Sequence, residues 1–192
     1  MYSIIFGLII FCFIILLFCL ISFHKKVYKG LILFDIDGTL TTGKENYNIV
    51  QYCIDKGWAV GICTANPGYR MDNLLYFDWM PKNLYNFIAD NDNITFNNVG
   101  SKILMGEYNP DIYLNNVNLN LNIYEQYGYF KGISLEKTGE MLNIINPSKL
   151  ILCDDDSSYI RGFNSYNNDL VIICAGNNCG GELTLEKIKE YI

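Results

Sequence analysis

A chain of 192 residues, 51% hydrophobic and 18% charged, has the length of a single domain and enough apolar residues for a real core. Its formal charge of -6 and pI of about 4.7 exclude a general nucleic-acid binder, which needs a basic surface to neutralise many phosphates. A small anionic ligand at a locally positive site stays open. With His24 as the one histidine, catalysis by a Ser-His triad inside the domain is excluded too.

Residues 2–23 carry no charge and are dominated by Ile, Leu and Phe, a run longer than the ~20 residues a helix needs to cross the hydrocarbon layer. No Lys or Arg precedes the run, and it closes on Phe23, His24, Lys25 and Lys26. It therefore reads as a transmembrane anchor over residues 1–24 and not as a cleaved signal peptide. Lys25, Lys26 and Lys29 form a basic linker over 25–30, which by the positive-inside bias puts the following domain in the cytosol. The seven cysteines lack zinc-site spacing. Cys63 and Cys153 lie in apolar runs, where a thiol packs as a small hydrophobe, so buried reduced thiols are expected. A Cys174–Cys179 disulfide is the alternative.

The domain, residues 31–192, opens on Leu31–Phe34, a continuous apolar run that predicts a buried parallel strand ending at Asp35, Ile36, Asp37, Gly38 and Thr39. Ile49, Val50, Cys53 and Ile54 share a helical face between about Asn46 and Lys56, with Gly57 as the stop. Trp58–Cys63 predicts a second strand ending at Thr64, and Pro67 opens a helix with Met71, Leu74 and Leu75 on one face. From Trp79 to Gly128 no period persists, and short helices, a strand near Ile94–Phe96 and a hairpin are expected. Ser134–Ile145 then predicts an amphipathic helix broken by Pro147. Leu150–Cys153 predicts a third buried strand ending in Asp154, Asp155 and Asp156, and Leu170–Ala175 a fourth, ending at a Gly-rich loop. Thr184 caps a last helix to Tyr191, with Glu186 in its first turn. Strands alternating with helices imply an α/β fold with a doubly wound parallel sheet, whose ligands sit at the carboxyl ends of the strands.

That edge gathers Asp35, Asp37, Thr64, Asp154 and Asp155. Two carboxylates two residues apart, then a glycine that permits a tight turn, would face the same way if the strand geometry continued. In the segment from Phe34 to Thr41, FDIDGTLT, the chain resembles the haloacid dehalogenase superfamily, whose first motif has the form DxDGT[LV]. The resemblance runs over roughly residues 30–175, through four motifs in order. It implies a Rossmann-like domain of the phosphatase branch. Asp35 matches the nucleophile that forms an aspartyl-phosphate, and Asp37 the general acid/base. Superfamily members lacking that second carboxylate usually do other chemistry, so Asp37 points to phosphate esters. Thr64 matches the hydroxyl that binds the transferring phosphoryl oxygens. Lys131 or Lys137 matches the cation that neutralises developing charge, and Lys131 is preferred because it stands just ahead of a helix leading to the Asp154 strand. Asp154 and Asp155 match the acidic fourth motif, Asp155 as metal ligand and Asp154 as the group orienting the lysine. With Asp35 and the backbone carbonyl of Asp37, Asp155 makes an oxygen-rich site suited to Mg²⁺. Ser157 and Ser158 follow three aspartates where the family has the form GDxxxD, and Asp156 reads as a helix cap.

Too few positions separate Asp35 from Thr64 to hold a helical cap domain, and those between Thr64 and Lys131 allow a small insert at best. The resemblance then implies an open, capless or minimally capped site. The expected activity is a Mg²⁺-dependent phosphatase acting on a phosphorylated protein or small molecule at a membrane, with no nucleic-acid partner. A catalytically silent binding or scaffold protein of the same fold and a phosphotransferase or phosphomutase are the rival readings.

Overall fold

The computed structural model describes residues 26–41, 46–67, 94–115 and 120–192. Strand β1 (Leu31–Phe34) is flanked by β2 (Ala59–Thr64) and β4 (Leu150–Asp154), with β3 (Ile94–Asn98) beyond β2 and β5 (Val171–Cys174) beyond β4. All four pairings are parallel, and the register sets Leu31 against both Ala59 and Leu150. The order β3-β2-β1-β4-β5 reverses direction at β1 and β4, as in a doubly wound sheet, where such a reversal opens a crevice at the carboxyl edge.

Both faces of the sheet are covered, which is why its strands read as unbroken apolar runs. Ile32, Phe34, Ile151 and Cys153 point to one layer, packed with Ile49, Val50 and Cys53 of α1 (Asn46–Asp55) and Ile188 of α6 (Leu185–Lys189). Leu31, Leu33, Leu150 and Leu152 point to the other. There they meet Phe130 and Ile133 of α4 (Ile123–Met141), Phe163 of α5 (Ser157–Tyr166) and Val99 of α2 (Val99–Leu104). Burying side chains of this kind contributes ~1.5–3 kcal/mol each before the entropy of ordering is subtracted. Helices α4 and α5 touch through backbone. A Cβ on Gly128 would lie 2.0 Å from the Tyr159 carbonyl oxygen, and one on Gly162 1.8 Å from that of Glu125.

Several sequence expectations change here. Helix α4 starts at Ile123 behind an Asn122–Glu125 capping box and ends at Met141, so it replaces the one expected over Ser134–Ile145 and carries Lys131 in its interior. The capping side chains fix its start, and the run Gly128–Leu135 is buried without interruption, leaving no clean amphipathic period. Ile94–Asn98 is a strand parallel to β2, and no hairpin occurs among the described residues. Between β3 and α4 lie α2 and α3 (Pro110–Asn115). Cys53, Cys63 and Cys153 are free and buried, but Cys174 and Cys179 are disulfide-bonded, because the loop after β5 turns back on itself. The helix expected after Pro67, with Met71, Leu74 and Leu75 on one face, and the anchor expected over 1–24 lie outside the described residues. No helix among the described residues is long and apolar enough to cross a membrane.

Candidate active site

The carboxyl ends of β1, β2 and β4 meet at a cleft of about 350 Å³, lined in part by Asp35, Asp37, Thr64, Asp155, Tyr159 and Asn178. Asp35 directly follows β1, where its backbone N–H donates to Cys153 at 2.9 Å and its side chain is buried. The strand geometry then stops. A tight turn over Ile36–Leu40, with Gly38 at φ +75°, swings Asp37 out to the exposed mouth of the cleft. Alternation therefore does not relate the two carboxylates, although both line the same cleft. Gly38 is required twice, by its left-handed backbone and because a Cβ would lie 2.2 Å from an Asp155 carboxylate oxygen.

Thr64 closes β2, almost fully buried, its hydroxyl accepting from the Asn66 backbone N–H at 3.2 Å. Asp154 closes β4. Its Oδ1 accepts from the Asp156 N–H at 3.0 Å and its Oδ2 from Lys131 Nζ at 2.6 Å. Lys131 also donates to Asp35 Oδ1 at 2.8 Å, so one fully buried ammonium ties two strand ends together. It lies 4.6 Å from the centre of the Tyr159 ring, a further favourable contact for a cation. Lys137, two turns further along α4, is exposed and rests over Tyr108 and Tyr113. Asp156 caps α5 by accepting from Ser158 and Tyr159 backbone N–H groups.

The charges do not balance. Asp35, Asp154 and Asp155 offer ligand oxygens all within 4.8 Å of one another. Among the described residues, the one ammonium bound to this group is that of Lys131. Burial pushes the Asp35 carboxyl up to about 8, against the lowering pull of Lys131 and helped by Asp154. Burial and the neighbouring Asp154 likewise raise Asp155. Burial alone would depress Lys131, but the Asp154 and Asp35 carboxylates outweigh it and hold the ammonium protonated well above its ordinary range. Three carboxylates within reach of one another, open on one side to a cleft and costly to ionise unaided, could hold a hard cation, so the residues present fit such an ion.

The structure thus brings together Asp35, Asp37, Thr64, Lys131, Asp154 and Asp155, and leaves Lys137 outside. Asn178, Asn66, Tyr127 and Tyr159 line the cleft as well, without having stood out in the sequence. Of these, Asn178 has a usable sequence signal, since it lies in the loop leaving the carboxyl end of β5, the same edge as the other strand ends. In comparison with known proteins, no family model, no curated protein and no solved structure matches this chain.

Proposed function

We propose that the chain is a magnesium-dependent phosphatase of the haloacid dehalogenase type that works through an aspartyl-phosphate on Asp35. The observation that carries this reading is the buried Asp35–Lys131–Asp154 bridge beside Asp155 at the carboxyl edge of the sheet. A structural ion pair would be satisfied by one carboxylate. Three carboxylates and one lysine at a cleft are suited to binding a cation and an anionic group together.

In this account an Asp35 carboxylate oxygen attacks phosphorus while the ester P–O bond breaks, its electron pair leaving on the ester oxygen. Asp37, at the cleft mouth, gives that oxygen a proton. A water molecule then loses a proton to Asp37 as its oxygen bonds phosphorus, the Asp35 acyl oxygen departs, and inorganic phosphate and the free carboxylate are restored. Lys131 neutralises charge on Asp35 and on the transferring group, Asp154 aims Lys131, and the Thr64 hydroxyl binds a phosphoryl oxygen. Asp35, Asp155 and the Asp37 backbone carbonyl would hold Mg²⁺, which when bound supplies positive charge against the phosphoryl oxygens. Tethering of this activity to a membrane by residues 2–23, with the domain in the cytosol, belongs to the same proposal.

The test is hydrolysis of p-nitrophenyl phosphate by the purified full chain. Release that requires Mg²⁺ and is lost in Asp35→Asn is expected, and equal rates for the two proteins would overturn the reading.

A further inference from the structure

Asp155 is held from an unexpected direction. Asn178 Nδ2 donates to Asp155 Oδ2 at 2.6 Å from the loop that follows β5. In the same loop Gly176 approaches so closely that a Cβ there would lie 2.3 Å from Asp155 Cβ and 2.7 Å from the Gly38 carbonyl oxygen. The loop is short and closed on itself. Asn178 is the middle residue of a single turn, Asn177–Cys179, and the Cys174–Cys179 disulfide, of sequence separation 5, joins the end of β5 to the end of that turn. From outside, Lys187 Nζ donates to the Cys174 carbonyl at 2.6 Å.

We propose that Asn178 is a positioning residue that sets the cation affinity of Asp155, and that the Cys174–Cys179 bond makes this affinity respond to thiol–disulfide exchange. The inference rests on the reading of Asp155 as a cation ligand. The physical basis has two parts. A donor fixed to one carboxylate oxygen orients the carboxylate for its ligand role, and loss of such a partner typically weakens metal binding ~10–100-fold. The donor is itself only as fixed as its loop, and a loop containing Gly176, Gly180 and Gly181 has unusual backbone freedom once its covalent closure is removed.

The exchange is chemically complete. A dithiol attacks one sulfur, passes through a mixed disulfide and departs as its own disulfide. Two electrons and two protons are transferred, the Sγ–Sγ bond breaks and two thiols remain. Access favours this pair, because Cys174 and Cys179 are partly exposed whereas the free Cys53, Cys63 and Cys153 are buried.

The experiment measures the Mg²⁺ dissociation constant of the full chain, purified in mild detergent, from displacement of Tb³⁺ luminescence sensitised by the cleft tyrosines. Oxidised wild type, dithiothreitol-treated wild type, Asn178→Ala, Asp155→Asn and the Cys174→Ser/Cys179→Ser pair are compared, and the cation-free melting curve of each reports folding. Asn178→Ala should weaken Mg²⁺ about 10-fold or more. Reduction should weaken wild type in the same direction, and the paired serine variant should match reduced wild type with no response to dithiothreitol. Reduction should add little in Asn178→Ala, since both act through one contact. Unchanged affinity in Asn178→Ala and in reduced wild type, with Asp155→Asn losing Mg²⁺, would overturn the inference alone. Unchanged affinity in Asp155→Asn would overturn it together with the ligand reading beneath it.

Discussion

Lys131 and Lys137 lie on one helix and carry the same charge, but their surroundings differ completely. Lys131 is fully buried between Asp35 and Asp154, whereas Lys137 lies exposed over two tyrosine rings. The contrast teaches that the packing around each lysine, and not residue type, decides which one joins the carboxylate cluster. Burying an ammonium costs several kcal/mol unless close partners offset it, and Asp35 and Asp154 are those partners.

The sharpest way to break the contrast is Lys131→Met. Removing the ammonium leaves Asp35 and Asp154 facing each other in the interior, so the melting curve should show a loss of about 3–5 kcal/mol. Turnover of an aryl phosphate should fall roughly 10²–10³-fold. Gly38→Ala comes next, because its Cβ would meet the Asp155 carboxylate and its φ of +75° disfavours any side chain. A destabilisation of ~1–3 kcal/mol and a ~10–100-fold weaker Mg²⁺ constant are expected by calorimetry.

A smaller effect is the pH dependence of cation stabilisation. Asp35 ordinarily titrates at 3.8 and is raised to about 8 in the fold. Between those values the folded protein holds a proton that the unfolded chain has released. Its contribution to stability is therefore full below about pH 4 and is lost as pH rises towards 8. A cation on Asp35 must displace that proton at low pH and finds the carboxylate increasingly free at high pH. Mg²⁺ should raise Tm more at pH 8 than at pH 5, and equal shifts would count against Asp35 as a ligand. Smallest of all, Lys137→Met should leave both turnover and Mg²⁺ affinity unchanged within about two-fold.

The same contrast explains what the sequence made legible. Leu31–Phe34, Ala59–Thr64 and Leu150–Asp154 are buried on both faces, which is why each reads as an apolar run up to the carboxyl edge of the sheet. The polar residue that ends each run is visible by inspection, so the sequence alone places Asp35, Thr64 and Asp154 at one edge. Helix α4 hid its start for the opposite reason. Lys131, Ser134 and Thr138 are polar yet buried, which erases the period by which a helix is recognised. The sequence pattern puts Lys131 ahead of a helix, and the fold puts it in the interior of one. Asn178 depends on a loop conformation closed by a disulfide, and spacing alone does not reveal that its amide reaches Asp155.

The central claim is that Asp35 becomes covalently phosphorylated. The most direct measurement is to incubate the full chain with Mg²⁺ and a radiolabelled acyl phosphate, quench in acid, and digest and sequence the labelled peptide. A label that is stable to acid, released by hydroxylamine and located on Asp35, with none retained by Asp35→Asn, is expected. Phosphate release without any such label, or a label that persists in Asp35→Asn, would contradict it.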